Sequence, residues 1–338
     1  MANKLIAFLH KLNGADHNAH RMKAILDHLD RRISDVESEI RDLSHSLNNQ
    51  LDWYRYKGFG APLYLLNDGR LALNNQVVEG GEKVVVISIP KSGTYLLSAL
   101  LEKIGFVNTG VHAWETGFHD YRGKTIPEMV HRYSEYAVNA TIQSTASLVM
   151  PSQYLVGHLG LDGDTNKALA SFKRIMTVRE MRQSLVSHMR FFENKGRGFS
   201  HGDEWKKITN LQQRMHAFLE LFADELLELA RRVSGWYEDS ETIKIRFEDL
   251  LGDNGEAIQL EQIIRISNHV CKPLSLSTVD ARLLLGAVLN KPTKTWSGKR
   301  TILADYWSTA CETIFMSKGG DTINQAFGYT DKAWFSNG

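Results

Sequence analysis

The sequence predicts a three-layer α/β fold built around a mostly parallel central sheet. Residues Val84 to Ile89 form a run of β-branched, apolar residues interrupted only by Ser88, which is typical of a strand buried on both faces. Apolar residues with helical spacing follow at once, at Leu96, Leu97, Leu100, Leu101 and Ile104. Two further strands are predicted at Arg174 to Val178 and Thr242 to Ile245, and a long amphipathic helix at Leu211 to Val233. This alternation of strands and helices is the signature of an α/β sheet.

Composition narrows the classes of function. The chain has 338 residues, of which 43% are hydrophobic and 23% charged, and its formal net charge is only +1. No global basic field recruits nucleic acid or an anionic membrane. The apolar patch from Leu5 to Leu9 is far shorter than the roughly 20 residues of a membrane span, so we expect none. Cys271 and Cys311 lack metal-ligand spacing and are too few for a disulfide framework, which favours a reducing, cytoplasmic location.

Residues 1–50 are predicted to form a separate helical unit. One apolar stripe recurs alternately four and three residues apart, at Met22, Leu26, Leu29, Ile33, Val36, Ile40, Leu43 and Leu47. Isoleucine at two a positions and leucine at two d positions favour a short parallel coiled coil, and therefore a homodimer. The alternative is a helix that packs on its own domain. Residues 51–82 are predicted to connect this helix to a catalytic domain at 83–335, with a small hairpin around Asn67-Asp68-Gly69.

The segment IPKSGTY, at Ile89 to Tyr95, predicts an anion site. A tight loop between a strand and a helix directs backbone N–H groups outward at the helix N-terminus. Lys91 adds a cation beside those amides. The nucleotide loop G-x-x-x-x-G-K-[ST] does not fit, because here the lysine precedes the glycine.

A second segment, VREMRQSLVS at Val178 to Ser187, carries a complementary signal. Arg179 follows the predicted strand directly, at the edge where open α/β sheets bind ligands. Its planar fork of donors, together with a hydroxyl from the next helix, is suited to a second phosphate. The two segments together predict a nucleotide with anionic groups at both ends.

The chain resembles the sulfotransferases that use 3′-phosphoadenylyl sulfate (PAPS). Members of that family typically carry PKSGTT after a strand, a later RDPRDxxVS segment, a THLP-like histidine between them and a strand ending in R-Y-E-D-L. Here the matching segments are IPKSGTY, VREMRQSLVS, GHLG at Gly157 to Gly160, and IRFEDLLGD at Ile245 to Asp253. Four matches in order indicate the family. The resemblance implies an architecture like that of P-loop NTPases and a sulfotransferase activity that requires no metal.

The resemblance also assigns roles to residues. Lys91 would neutralise the charge that develops on the leaving phosphate, and His158 would be the general base. Arg179 and Ser187 would bind the 3′-phosphate, which remains on the product adenosine 3′,5′-bisphosphate (PAP). The full set expected to bind the nucleotide is Lys91, Ser92, Gly93, Thr94, Tyr95, Arg179, Ser187, Gly298, Lys299 and Arg300.

Several alternatives stay open. The segment GVHAWETGFHDYRG offers Glu115 and His112 as alternative bases, or it is a polar loop on the acceptor side with no part in the chemistry. The family's tryptophan is replaced by Leu96, so another aromatic residue must stack on adenine. In IRFEDLLGD we expect an ion pair of Arg246 with Glu248 that braces the sheet.

The acceptor is expected to carry a hydroxyl group, as a glycan, a glycoconjugate or a secondary metabolite does. Aromatic residues that could line a sugar or phenol site, or belong to the core, are Trp114, Phe118, Tyr121, Tyr133 and Tyr136. The competing function is a P-loop kinase or an ATP-binding scaffold, which should show an acidic metal site at a strand end.

Overall fold

The computed structural model describes residues 28–37, 63–65, 71–73, 81–125, 128–129, 132–193, 203–270, 277–289 and 302–329. The chain divides into two compact units, Met1–Gly60 and Ala61–Gly338. In the first unit the described part is a helix, α1, over residues 28–37, and all of its residues are exposed. The apolar stripe of the predicted coiled coil is exposed there at Leu29, Ile33 and Val36. Most of that stripe lies outside the described residues, so the coiled coil stays a prediction.

The second unit contains a seven-stranded sheet and a separate two-stranded one. Strands β1 and β2 pair antiparallel and confirm the predicted hairpin. The larger sheet has the order β6-β5-β4-β7-β3-β8-β9. The strands are β1 (Leu63–Leu65), β2 (Leu71–Leu73), β3 (Lys83–Ser88), β4 (Val107–Trp114), β5 (Gly117–Asp120), β6 (Ala137–Asn139), β7 (Gln153–Gly157), β8 (Phe172–Val178) and β9 (Thr242–Arg246).

The larger sheet is mostly parallel, as predicted. Strands β4, β7, β3, β8 and β9 run parallel to one another, while β5 and β6 extend one edge with antiparallel pairs. The valines of β3 are completely buried, because helices cover both faces of the strand. The three predicted strands are confirmed, each with bounds that differ by a residue or two at one or both ends.

Helices form the outer two layers. On one face α2 packs with α8 and α9 against an aliphatic core, and the other face carries α6 with α5, α11 and α12. The predicted long helix is confirmed as α6, which continues past Val233. The helices after α1 are α2 (Thr94–Ile104), α3 (Ile142–Ser147), α4 (Gly163–Ala168), α5 (Met181–Glu193), α6 (Leu211–Glu238), α7 (Phe247–Leu251), α8 (Glu256–Val270), α9 (Thr278–Leu289), α10 (Leu303–Tyr306), α11 (Thr309–Ser317) and α12 (Gly320–Ala326).

The segment GVHAWETGFHDYRG differs from its predicted form. It is a hairpin within the sheet, in which β4 and β5 pair and a two-residue turn at Glu115 and Thr116 joins them. A register shift between Asn108 and His112 brings His112 level with Val156 on β7. Such bulges change the direction in which a strand's side chains point. The segment is therefore a β-hairpin of the sheet and not a loop.

The order of the strands places three chain segments at one edge of the sheet. Strand β3 lies between β7 and β8, and the parallel register sets Ile87 level with Gly157 and Met176. After β3 the chain runs to β4 on one side, whereas after β8 it runs to β9 on the other. Such a topological switch point is where open α/β sheets bind ligands. Within the described ranges, no helix is both long enough and apolar enough to cross a bilayer.

Candidate active site

The loop between β3 and α2 is held in an unusual backbone conformation. Lys91 has φ of 66° and Gly93 has φ of 97°, both in the left-handed region. A Cβ atom on Gly93 would lie 2.3 Å from Cδ2 of Phe247, so the position has no room for a side chain. Gly93 also precedes the first helical residue, Thr94, and no side chain caps the helix there. An uncapped helix N-terminus of this kind is suited to bind an anion through its backbone N–H groups.

Ser92 fixes this loop to the neighbouring strand. Its side chain is completely buried, and its hydroxyl lies 2.7 Å from the carbonyl oxygen of Ile89 and 3.0 Å from that of Thr177. The Thr177 hydroxyl in turn donates to the Ser92 carbonyl. From the helix that follows β8, the Ser184 hydroxyl donates to the Pro90 carbonyl at 2.8 Å. The loop is thus tied to β8 and α5, with the Ser92 hydroxyl directed into the protein.

Two cationic side chains lie at the loop, Lys91 from the loop itself and Arg179 from the end of β8. Each packs on an aromatic ring. Nζ of Lys91 lies 4.4 Å from the ring centroid of Phe191 on α5. The guanidinium carbon of Arg179 lies 4.7 Å from the ring centroid of Phe247, and its Nη1 donates to the Lys91 carbonyl at 3.2 Å. Burial lowers the pKa of Arg179 from its ordinary value of 12.5, while Glu248 opposes the shift. The hydrogen bond from Arg179 to Lys91 links the first segment to the second.

A buried network holds the second segment in place. Arg182 donates to Glu180 and, with two nitrogens, to Glu312 on α11, each at 2.8 or 2.9 Å. Asn324 on α12 accepts from the Met181 amide and donates to Glu180, both at 2.8 Å. Glu180 is 1% exposed, and a buried carboxylate needs compensating partners, which here are Arg182 and Asn324. These contacts make the C-terminal helices the support for Arg179.

The predicted ion pair of Arg246 with Glu248 is wrong. Arg246 donates to the carbonyl of Gly328, whereas Glu248 accepts from the Tyr329 hydroxyl at 2.7 Å and from the Glu180 amide at 3.1 Å. Burial raises the pKa of Glu248, and the Tyr329 hydrogen bond opposes that shift. Helix α7 begins directly after β9, so Glu248 lies on the helix and not on the strand. Its carboxylate therefore points into the protein and not toward Arg246.

His158 follows β7 and points toward the loop. Its Nδ1 lies 2.7 Å from the carbonyl oxygen of Ser88. Two lone pairs at that distance would repel, so Nδ1 carries the proton and Nε2 is the free acceptor. Burial lowers the pKa of His158 from 6.5 to about 4, against the opposing effects of the Ser88 hydrogen bond and of Glu115. At neutral pH the ring is therefore neutral and able to accept a proton.

The two alternative bases lie near His158 in different settings. The ring centroids of His112 and His158 are 4.8 Å apart. One carboxylate oxygen of Glu115 accepts from the Gly160 amide at 2.9 Å and lies 3.3 Å from Nη1 of Arg232. Glu115 thus has two donors already and helps to hold the segment that carries His158. We interpret Glu115 as a structural residue beside His158.

A ring cluster lines the side of the site formed by the hairpin. It consists of His112, Trp114, His119, Tyr121 and Tyr133. Trp114 and His119 have centroids 4.6 Å apart, and His119 stacks parallel on Tyr121 at 5.5 Å. Burial raises the pKa of Tyr121, and that of Tyr95 beside it, so both phenols are neutral donors. Of the other aromatic candidates, Phe118 is buried in the core and Tyr136 contacts Tyr121.

One cavity of about 670 Å³ joins these parts. Its lining includes most of the predicted site residues, namely Lys91, Gly93, Thr94, Tyr95, His112, Glu115, His158, Arg179 and Ser187. Ser92 is not among them, and the predicted Gly298, Lys299 and Arg300 lie outside the described residues. Among the residues that the structure describes, no three His, Cys, Asp or Glu side chains are grouped so that they could hold a metal ion.

Sequence reasoning missed three residues of the site. Phe191 lies four positions after Ser187 and so on the same helical face, a spacing that could have identified it. Phe247 directly follows β9, where side chains at the carboxyl edge are candidates for a site. Ser88 is the single polar residue between Val84 and Ile89, and no other sequence signal marks its contact with His158.

Comparisons with known proteins found one family model and several similar solved structures. A family model described as the sulfotransferase domain matches residues 81–266. A crystal structure of the mouse sulfotransferase SULT7A1 complexed with PAP is similar, with a TM-score of 0.47 and 12% identity over 80% of this chain and 99% of that chain. Retinol dehydratase in a complex with retinol and PAP has a TM-score of 0.45 and 16% identity over 81% and 92%. Among curated proteins no match was found.

Proposed function

The chain belongs to the sulfotransferase domain family, and from that premise we propose that it transfers a sulfuryl group from PAPS to a hydroxyl group of an acceptor. The observation that supports the proposal is one cavity lined by Lys91 and Arg179, from the two predicted anion-binding segments, and by the neutral His158. A nucleotide with one anionic end would engage only one of those segments.

The residues present fit a nucleotide with phosphate groups at both ends. Lys91 and the first amides of α2 would hold the end that carries the reacting group. Arg179 and Ser187 would hold the 3′-phosphate, since both line the same cavity. The rings of Phe191 and Phe247, which lie under the two cations, are candidates for the stacking surface that the missing tryptophan leaves open. When bound, PAPS would supply a sulfuryl group on a phosphate leaving group.

Two side chains of this chain would carry the chemistry. Nε2 of His158 accepts the proton of the acceptor hydroxyl, because its other nitrogen already donates to the Ser88 carbonyl. Lys91 stabilises the negative charge that develops on the leaving phosphate. The remaining residues of the loop and of α5 hold the reactants in line, which is the main requirement for transfer of this type of group.

The ring cluster is the proposed acceptor subsite. It lies on the hairpin side of the cavity and adjoins His158 through His112. Stacked faces of Trp114, His119 and Tyr121 suit a ring-shaped acceptor, and the neutral phenols offer hydrogen bonds. Both a saccharide and a phenol meet those requirements. We therefore propose a ring-bearing alcohol or phenol as the acceptor class.

The proposed reaction is tested by incubating the protein with PAPS and a panel of saccharide, phenol and lipid-linked acceptors. We expect a sulfonated product and an equal amount of PAP, both detected by mass spectrometry. A parallel incubation with ATP and magnesium should give no phosphorylated product. Phosphorylation of an acceptor from ATP would overturn the proposal in favour of a kinase.

Two further parts of the proposal concern the setting of the enzyme. The apolar stripe from Met22 to Leu47 supports a homodimer formed by a parallel coiled coil. The presence of only two cysteines in the chain supports the proposal that the protein is located in a reducing compartment, the cytoplasm.

A further inference from the structure

Ser88 makes contacts with both halves of the reaction centre. It is the last residue of β3 and is completely buried. Its carbonyl oxygen lies 2.7 Å from Nδ1 of His158, and its hydroxyl oxygen lies 3.4 Å from the same nitrogen. The same hydroxyl lies 2.8 Å from the hydroxyl of Thr94, the first residue of α2. One buried serine thus joins His158 to the loop between β3 and α2, residues 89–93, which we call the anion loop.

The direction of these hydrogen bonds follows from the chemistry of the groups. Nδ1 carries a proton because it faces the Ser88 carbonyl, so toward Nδ1 the Ser88 hydroxyl can only accept. Its own hydrogen then points to Thr94, the other partner of this hydroxyl in the described part of the chain. Thr94 consequently accepts from Ser88 and keeps its hydrogen for another acceptor. Thr94 lines the cavity, at the loop where the nucleotide is proposed to bind.

We propose that Ser88 is a positioning residue that couples the anion loop to the general base. An anion that accepts from the Thr94 hydroxyl makes the Thr94 oxygen a better acceptor for Ser88. Ser88 then becomes a better acceptor for the Nδ1–H group, and Nε2 of His158 becomes more basic. Each bond in such a chain strengthens the next by roughly 10–30%. The base is thereby strengthened when the donor substrate is bound. This inference rests on the proposed function.

Other groups affect the basicity of His158 electrostatically, and the test must distinguish their effect from the coupling through Ser88. On β4 and the following turn these are His112 and Glu115, the latter bonded to Arg232 from α6. On the loop and α2 they are Lys91 and Tyr95, which line the same cavity. Their effects, and that of a bound anion itself, do not require the Ser88 hydroxyl. A variant that removes only this hydroxyl therefore isolates the coupling.

The test is nuclear magnetic resonance of protein labelled with 15N-histidine, with the His158 signals assigned from their loss in His158→Gln. Addition of PAP at neutral pH should move the Nδ1–H proton signal downfield in the unaltered protein, because its hydrogen bond strengthens. In Ser88→Ala the displacement should be smaller, although the backbone carbonyl remains. Ser98→Ala is the matched control: this buried serine lies on α2, and its hydroxyl has no partner among the described residues. It should respond as the unaltered protein does.

Thr94→Val interrupts the same series of hydrogen bonds at its other end, and it replaces Ser88→Ala in the test if that variant does not fold. It should reduce the displacement as Ser88→Ala does, and the double variant should reduce it no further. A displacement in Ser88→Ala equal to that in Ser98→Ala would overturn the coupling. Isothermal titration of PAP into the same samples separates this from the proposed function. Absence of PAP binding would overturn both, whereas binding with an undiminished response in Ser88→Ala would overturn the coupling alone.

Discussion

Replacement of Gly93 by alanine should disable the anion loop. Gly93 has φ of 97°, and a Cβ atom there would lie 2.3 Å from Cδ2 and 2.8 Å from Cε2 of Phe247. Real Cβ atoms do not approach ring carbons so closely, so the ring must move. Phe247 lies beneath the guanidinium group of Arg179. The substitution should therefore disturb both phosphate-binding segments at once.

The magnitude follows from two separable costs. A left-handed conformation costs an alanine roughly 1–2 kcal/mol. Forcing a methyl group against a packed ring costs about 1–3 kcal/mol more. Gly105 provides the matched control, because it ends the same helix with φ of 111° and no heavy atom lies within 4 Å of its would-be Cβ atom. Gly105→Ala should lower the free energy of unfolding only by the cost of the left-handed conformation, roughly 1–2 kcal/mol.

Urea denaturation measures the free energy of unfolding of both variants, and isothermal titration measures their affinity for PAP. We expect Gly93→Ala to be less stable than Gly105→Ala by about 1–3 kcal/mol, the cost of the collision with the ring. We also expect Gly93→Ala to bind PAP much more weakly, while Gly105→Ala binds as the unaltered protein does. Equal stability of the two variants together with unchanged PAP affinity would refute the assigned role of Phe247.

Three further results are expected. His158→Ala should lower kcat by roughly 100-fold and leave PAP affinity nearly intact, whereas Arg179→Ala should weaken PAP binding; steady-state kinetics and titration distinguish the two. Because burial lowers the pKa of His158 from 6.5 to about 4, the unfolded chain binds more protons between these values. The free energy of unfolding should therefore fall as the pH drops through that window, by more than it falls in His158→Gln; parallel slopes in denaturation experiments would contradict this. Replacing Ile33 and Ile40 together by Asp should give a monomer in light scattering that still binds PAP, and a parent protein that is already monomeric at micromolar concentration would exclude the coiled coil.

The parts of the fold that the sequence predicted are those with a strong local pattern. Strand β3 is a short, largely apolar run, β8 and β9 are short segments in which Ile, Met or Val lie among polar residues, and α6 is a long amphipathic stripe. The hairpin of β4 and β5 was missed because its two-residue turn, Glu115-Thr116, lacks the Asn-Gly or Asp-Gly pair that marks such turns. A bulge near Gly110, which has φ of 71°, also interrupts the alternation of β4.

The site was predictable to the extent that its residues follow strand ends. Lys91 lies in the loop after β3, and His158 and Arg179 come directly after β7 and β8. These three strands lie side by side, so three separate sequence segments meet in one cavity. The direction of a side chain within a tight loop is not encoded locally, which is why the buried hydroxyl of Ser92 was expected at the ligand. Contacts across the fold, such as Phe247 against Gly93, have no sequence signature at all.

The proposed function requires that the cavity binds a nucleotide with an anionic group at each end. The most direct test compares the thermal stability of the protein with PAP, with AMP, and with ATP plus magnesium, each at the same concentration. A ligand that binds only the native state raises the melting temperature more the tighter it binds, because the stabilisation grows as the logarithm of the ratio of ligand concentration to Kd. We predict that PAP raises it far more than either of the other two. Equal stabilisation by ATP with magnesium would contradict the account.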